Sequence, residues 1–178
     1  TAKDWIGYKL SGRVATDVTD ATIPFLDPAT GEYSRAAFDR LGCSALASMA
    51  PQVLMPGDVL GPLVESAAEA TGLPAGTPVY VGCLDGAAML FGLGLNQAGE
   101  SMAILGTTVA AVAISDQLPL EQEPSGAVLR LGPGRYYRIM AANSGTTGLL
   151  TLTKPIIAMI NGWCLGGGVM VALSADIR

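Results

Sequence analysis

Two short stretches place reactive residue types where a fold could use them. In VYVGCLDGAAM, residues 79–89, one carboxylate, Asp85, follows an apolar run and opens a run of small residues. A strand leading into a helix at this point would hold Asp85 at the C-terminal edge of a sheet, where α/β folds gather ligands. Beside a helix N-terminus the carboxylate stays ionised and can take the proton of a bound hydroxyl. The same residue also suits a plain helix cap, and the local sequence leaves both roles open. In AILGTTVAAVAI, residues 103–114, Gly106, Thr107 and Thr108 form a turn between two apolar runs. Backbone N–H groups and two hydroxyls in such a bend can cradle a phosphate. An ordinary hairpin turn has the same composition.

Composition removes several alternatives. The 178 residues contain no histidine, which rules out His-based triads, His zinc ligands and His general bases within them. Acid–base work falls to carboxylates, Lys, Tyr or Cys, and no metal site is predicted. Ten Lys and Arg residues against a net charge of −5 give no basic footprint for nucleic acid or an anionic membrane. The three cysteines, Cys43, Cys83 and Cys164, stand apart with no CxxC pairing, the pattern of reduced thiols in a cytoplasmic protein. Residues 156–173 are apolar for nearly the length of a membrane span and carry Gly162 and Gly166 at GxxxG spacing. Asn161 and three successive glycines interrupt them, so the expectation is no membrane segment. The chain starts at Thr1 with no signal-like segment, and is expected to be a piece of a longer protein.

The elements that must position Asp85 follow from periodicity and punctuation. Residues 3–10 (KDWIGYKL) have helical apolar spacing and stop at Ser11-Gly12. Residues 16–22 (TDVTDAT) are rich in cap and turn formers. Residues 23–26 read as a short strand, and DPATGE as a turn. Ser34 caps a helix running to Leu41, closed by Gly42. Residues 58–63 form a strand, 65–71 a helix ending at Gly72, and 78–83 (PVYVGC) a short buried strand. GAAMLFGLG after Asp85 is a tightly packed helix. Residues 100–105 and 109–114 make two strands around Gly106-Thr107-Thr108, and 127–131 with 136–141 make a hairpin. Residues 117–125 form a surface loop. The alternation of helices and short apolar strands is that of an α/β fold.

Order and spacing carry a family resemblance through residues 1–150. KDWIGYKLSGRVATDVTDATIPFLDPATGEYS resembles the KDYxxYxLTGxxxTDxSDAS segment of the FGGY carbohydrate kinases, a group that includes xylulokinases and glycerol kinases. GLPAGTPVYVGCLDGAAMLFGLG is similar to their GLPxGTPVxxGxxDxxAxxLGxG, and SMAILGTTVAA to their LGTS hairpin. The resemblance implies a partial actin-like ATPase (ribonuclease H-like) fold and ATP- and Mg2+-dependent phosphorylation of a sugar or polyol hydroxyl. It implies Asp85 as the general base, and Gly106, Thr107 and Thr108 as the turn facing the ATP phosphates. It also implies a small-molecule substrate, a cytoplasmic location and a homodimer in the intact protein. Gly86 departs from those members that carry Asn after the aspartate. The family's DxGTT-type phosphate loop and its Gly-rich adenosine segment do not occur in these residues.

Residues 154–178, KPIIAMINGWCLGGGVMVALSADIR, resemble something else: the crotonase (enoyl-CoA hydratase/isomerase) core KPxIAAxNGxAxGGGxxLAxxCDIR. That resemblance implies a strand–loop–helix tail with Gly167 as a backbone oxyanion donor. Met170 stands where hydratases place a catalytic Glu. The chain therefore reads as a chimera joined between about residues 149 and 154. Its expected parts are 1–97 from a kinase substrate domain, 98–150 from the start of the nucleotide domain, and 151–178 crotonase-like. Alone, it is expected neither to phosphorylate sugars nor to hydrate enoyl-CoA thioesters. The alternatives are an acyl-CoA hydratase or isomerase, or a catalytically dead α/β segment.

Overall fold

In the computed structural model, residues 1–105, 109–118 and 126–142 are described. Helix α1 spans Ala2–Ser11 and ends at Gly12, whose φ of 71° is the left-handed value that glycine adopts without strain. Strand β1, Ala15–Asp17, pairs in parallel with β2, Gln52–Leu54. Between them lie α2, Val18–Ala21, α3, Arg35–Arg40, and a 3-10 helix over Ser44–Met49. Strand β3, Val59–Pro62, pairs antiparallel with β4, Pro78–Tyr80, and α4, Glu65–Thr71, connects them. Helix α5, Asp85–Gly92, then leads to an antiparallel sheet of order β5-β6-β8-β7. Its strands are β5 (Ser101–Leu105), β6 (Val109–Ser115), β7 (Ala127–Gly132) and β8 (Arg135–Ala142).

Helix α5 is the element that connects the two ends of this layout. Ala87 and Leu90 pack on Val112 and Ile114 of β6, Leu129 and Leu131 of β7, and Tyr137 of β8. Residues 110–114 of β6 alternate buried and exposed, the period-two pattern of a sheet with one covered face. The largest apolar cluster thus runs across residue 97 in the chain. Leu90 is fully buried at its centre. Leu90→Ala is expected to cost about 2–5 kcal/mol, by lost transfer energy and the cavity left behind. Urea unfolding measures it, and a loss below about 1 kcal/mol would mean the cluster collapses around the vacancy.

Four expectations change. Residues 23–26 form a turn with only an isolated bridge, Leu26 to Tyr33, because Pro24 has no N–H to give a ladder. Residues 16–22 are not merely turn: they complete β1 and form α2. The strand expected over 78–83 is paired only over Pro78–Tyr80 and sits in a two-stranded sheet with Pro78 and Tyr80 exposed. The strand β2 and the 3-10 helix carry no periodic signal and were not expected. The helices ending at Gly12 and Gly72, and the strands on either side of residues 106–108, lie where the sequence puts them. Residues 106–108, 119–125 and 143–178 lie outside the described residues, and with them the turn of Gly106, Thr107 and Thr108, the tail and Gly167. No helix among the described residues is long and apolar enough to cross a membrane.

Candidate active site

Asp85 is the first residue of α5 and is exposed. Its Oδ1 accepts the N–H of Gly86 at 2.7 Å, its only hydrogen bond among the described residues. Among the described residues one carboxylate oxygen is therefore left to meet a hydroxyl. Gly86 is buried against β8: a Cβ there would lie 3.6 Å from the Tyr137 ring and 3.8 Å from its hydroxyl. Any side chain longer than a methyl would have to displace that ring, so the place takes only a very small residue. Tyr137 is wholly buried, and its hydroxyl has no hydrogen-bond partner among the described residues. Burial, and next the nearby charges of Asp17 and Asp85, hold its phenol above the ordinary range. The strand expected to deliver Asp85 ends at Tyr80, so an irregular stretch of four residues carries the chain to α5.

That stretch is braced from the N-terminal end of the chain. Gly7 lets α1 approach β3 so closely that a Cβ there would meet Leu60 Cδ2 at 2.8 Å. Docking α1 this way lays the Lys3 side chain against Gly82, with Cδ 3.4 Å from where a Cβ would stand. The Lys3 ammonium then meets three carboxylates: Asp4, Asp17 at 2.7 Å and Asp20 at 2.9 Å. Asp17 is 0 % exposed and caps α2, accepting the Thr19 N–H at 2.7 Å and also the Thr19 hydroxyl. Thr16 donates to Asp4 Oδ2 at 3.0 Å. Thr19, also fully buried, accepts the N–H of Leu84 at 2.8 Å, one residue before Asp85. Thr22 ties α2 to the large sheet, accepting the Arg130 N–H at 3.4 Å.

Burial alone would lower the Lys3 pKa, but hydrogen bonds to Asp17, Asp4 and Asp20 outweigh it and hold the ammonium above its ordinary value. Asp4 shows the opposite sign. Burial would raise it, yet hydrogen bonds from Lys3 and Thr1 keep it below the usual carboxylate range. Burial, and next the Asp17 charge, push the Cys83 thiol up, the reverse of an activated nucleophile. The Asp4 contribution to stability is present above the unfolded value of 3.8 and lost as pH falls through the folded one. The Lys3 contribution is present below 10.5 and lost as pH rises through the folded value. With no histidine, melting temperature is expected to change little between about pH 5 and 9 and to fall outside these two limits. Thermal unfolding followed by circular dichroism checks this, and a step between pH 6 and 8 would contradict it.

Three carboxylates around one lysine do not suit a cation. Among the described residues no cluster of His, Cys, Asp and Glu could hold a metal. A cavity of about 400 Å³ opens beside the cluster, lined by Asp4, Asp20, Phe25, Tyr33, Phe38 and Met49 among others. Its walls include nothing from α5, so it is not where Asp85 would meet a hydroxyl. Lys3, Asp17 and Thr19 were not singled out from sequence. The signal available was the doubled Thr-Asp of TDVTD, whose local meaning is only capping and turning.

The N-terminal domain of the FGGY family of carbohydrate kinases matches residues 1–92, just over half of the chain. The chain belongs to that family. The FGGY match covers α1 through α5, and so holds Asp85 and every residue that braces it. Over 151 residues the chain is 32% identical to erythritol kinase of Brucella abortus (strain 2308), covering 82% of this chain and 29% of that protein. Over 106 residues it is 40% identical to an autoinducer-2 kinase of Klebsiella pneumoniae, 59% of this chain and 19% of that one. Among solved structures, xylulose kinase from Rhodospirillum rubrum superposes with a TM-score of 0.66 at 26% identity, covering 83% of this chain and 30% of that one. Xylulose kinase from Lactobacillus acidophilus shares the fold, with a TM-score of 0.73 at 22% identity over 83% of this chain and 30% of that one. The FGGY chain thus spans less than a third of the length of these relatives.

Proposed function

We propose that this chain supplies the substrate-side carboxylate of an ATP-dependent kinase acting on a sugar or polyol. Asp85 is the general base, accepting the proton of the substrate hydroxyl as its oxygen attacks phosphorus. ATP, with Mg2+, would supply the phosphoryl group that is transferred. The observation that carries this reading is the exposed Asp85 on the first turn of α5, with one carboxylate oxygen unengaged among the described residues and α5 packed on the sheet that bears the β5–β6 hairpin. Base and phosphate must share one substrate, and a rigid contact between α5 and that sheet is what such sharing requires. Gly106, Thr107 and Thr108 are the phosphate-facing residues of the reading. Residues 1–97 belong to the substrate domain and 98–150 open the nucleotide domain. The protein works in the cytoplasm, as a homodimer when intact, and the 178 residues alone do not turn over. Relatives named for erythritol, autoinducer-2 and xylulose support a small hydroxylated substrate.

For residues 151–178 the dense crotonase motif, NG followed by GGG and a closing DIR, favours a second origin, with Gly167 as oxyanion donor. The test of the kinase reading has two arms. Pentuloses, hexoses and polyols are titrated into the labelled chain, with a shift of the Gly86 amide as the expected result. The same segment is also exchanged into the B. abortus erythritol kinase, and ATP consumption is followed with and without Asp85→Asn. A silent Gly86 amide across the panel, or turnover indifferent to Asp85, would remove the assignment.

A further inference from the structure

We propose that Thr19 is a positioning residue for Asp85, acting through the backbone of Leu84. This rests on Asp85 being the base, and assigns to a residue 65 positions upstream of Leu84 the task of setting where that carboxylate stands. Leu84 is the N-cap of α5, and its side chain has no oxygen with which to cap the helix. The start of α5 is therefore not fixed by its own cap. Instead the Leu84 N–H is taken by the Thr19 hydroxyl at 2.8 Å. That hydroxyl has one proton, and gives it to Asp17 Oδ2. Donation to a buried carboxylate polarises the hydroxyl and strengthens its oxygen as an acceptor. Asp17 is in turn held by Lys3, whose stem lies on Gly82 in the same irregular stretch. Residues 82 and 84 are thus both pinned by one chain of contacts, with Asp85 immediately beyond.

Apart from Leu84, the Thr19 hydroxyl serves Asp17, which the Thr19 N–H and Lys3 also hold. Thr19 lies within α2, whose cap is Asp17, and the Thr19 backbone N–H already satisfies that cap. A valine at this position keeps the shape and the backbone bond to Asp17 and removes both bonds of the hydroxyl, the one from Leu84 and the one to Asp17 Oδ2. The hydroxyl thus joins the cap residue of α2 to the start of α5.

The experiment uses the 178-residue chain labelled with 15N. In Thr19→Val, hydrogen exchange of the Leu84 amide is expected to rise about tenfold or more, the loss of one part-buried hydrogen bond. In Thr19→Ser it is expected to return to within about threefold of the unsubstituted chain, since serine restores the oxygen. The Ala68 amide, bonded to Val64 in α4, serves as the control and should not change. The Gly86 amide reports the position of the Asp85 carboxyl through their shared hydrogen bond, and its chemical shift is expected to move in Thr19→Val and return in Thr19→Ser. A Thr19 whose influence stopped short of Asp85 would leave that shift alone. Leu84 exchange unchanged in Thr19→Val, or no recovery with serine, overturns the proposal. Should Thr19→Val not fold, the unsubstituted chain decides: a Leu84 amide exchanging as fast as an exposed one overturns it, and a protected one supports it. Failure of the base assignment looks different, since Leu84 then responds to Thr19 while turnover ignores Asp85→Asn.

Discussion

Lys3→Met is expected to destabilise the fold by about 3 kcal/mol or more, the largest stability effect of any single charge among the described residues. Methionine keeps most of the stem that covers Gly82 and removes only the ammonium. Asp4 keeps the Thr1 ammonium at 3.1 Å, but Asp17 and Asp20 lose the cation they share, and Asp17 is fully buried while doing so. A buried charge cannot be solvated in place, so losing its partner leaves nearly the whole desolvation cost exposed. Contrast Arg35 and Asp39, a pair 3.6 Å apart with 75% and 54% of their side chains exposed. That pair is worth at most a few tenths of a kcal/mol, and Arg35→Met is the matched control. For a chain of this size 3 kcal/mol is roughly 6–12 °C in melting temperature. Adding Asp17→Asn to Lys3→Met should recover part of the loss, because the buried charge is removed while the amide oxygen can still cap α2. A loss under about 1 kcal/mol for Lys3→Met would show that water screens the cluster, and the bracing of residues 82–84 would lose its basis.

What the sequence revealed and what it hid divide along a physical line. Helix ends were legible wherever a glycine takes a left-handed conformation: Gly12 and Gly72 close α1 and α4 with φ of 71° and 78°. The β5–β6 and β7–β8 pairs were legible because their apolar runs are bounded by turn residues. The strand of PVYVGC was overextended for a related reason. Apolar composition predicts burial, but only Val81 of the last four residues is buried, and ladder pairing stops at Tyr80. Asp85 could be picked out because a carboxylate after an apolar run is conspicuous. Its support could not. Asp17, Thr19 and Asp20 are good local formers of caps and turns, and Asp17 does cap α2, so the local reading was satisfied before the long-range one arose. Nothing in residues 16–22 says that Lys3 returns to them, since that depends on Gly7 allowing α1 to lie against Leu60. Burial of charge is a property of the packing and has no signature in a single chain.

Asp85→Asn is expected to lower sugar- or polyol-dependent ATP consumption by about 10²–10⁴-fold in the exchanged kinase, with the substrate KM within a few-fold. The amide matches the carboxylate in size and still offers Gly86 an oxygen to bond, so the first turn of α5 should keep its shape. What it loses is the ability to take a proton as the substrate oxygen attacks phosphorus. Asp85 is exposed, and its removal leaves no buried partner unsatisfied, so melting temperature should move by less than about 2 °C. This combination sets the base apart from its brace. Lys3→Met should lose stability first and activity with it, whereas Asp85→Asn should lose activity at constant stability. Equal falls in kcat and kcat/KM would place the missing interaction in the transition state, as a base requires. A KM raised a hundredfold at unchanged kcat would instead make Asp85 a substrate-binding residue, and the proton would have to go to another group or to water.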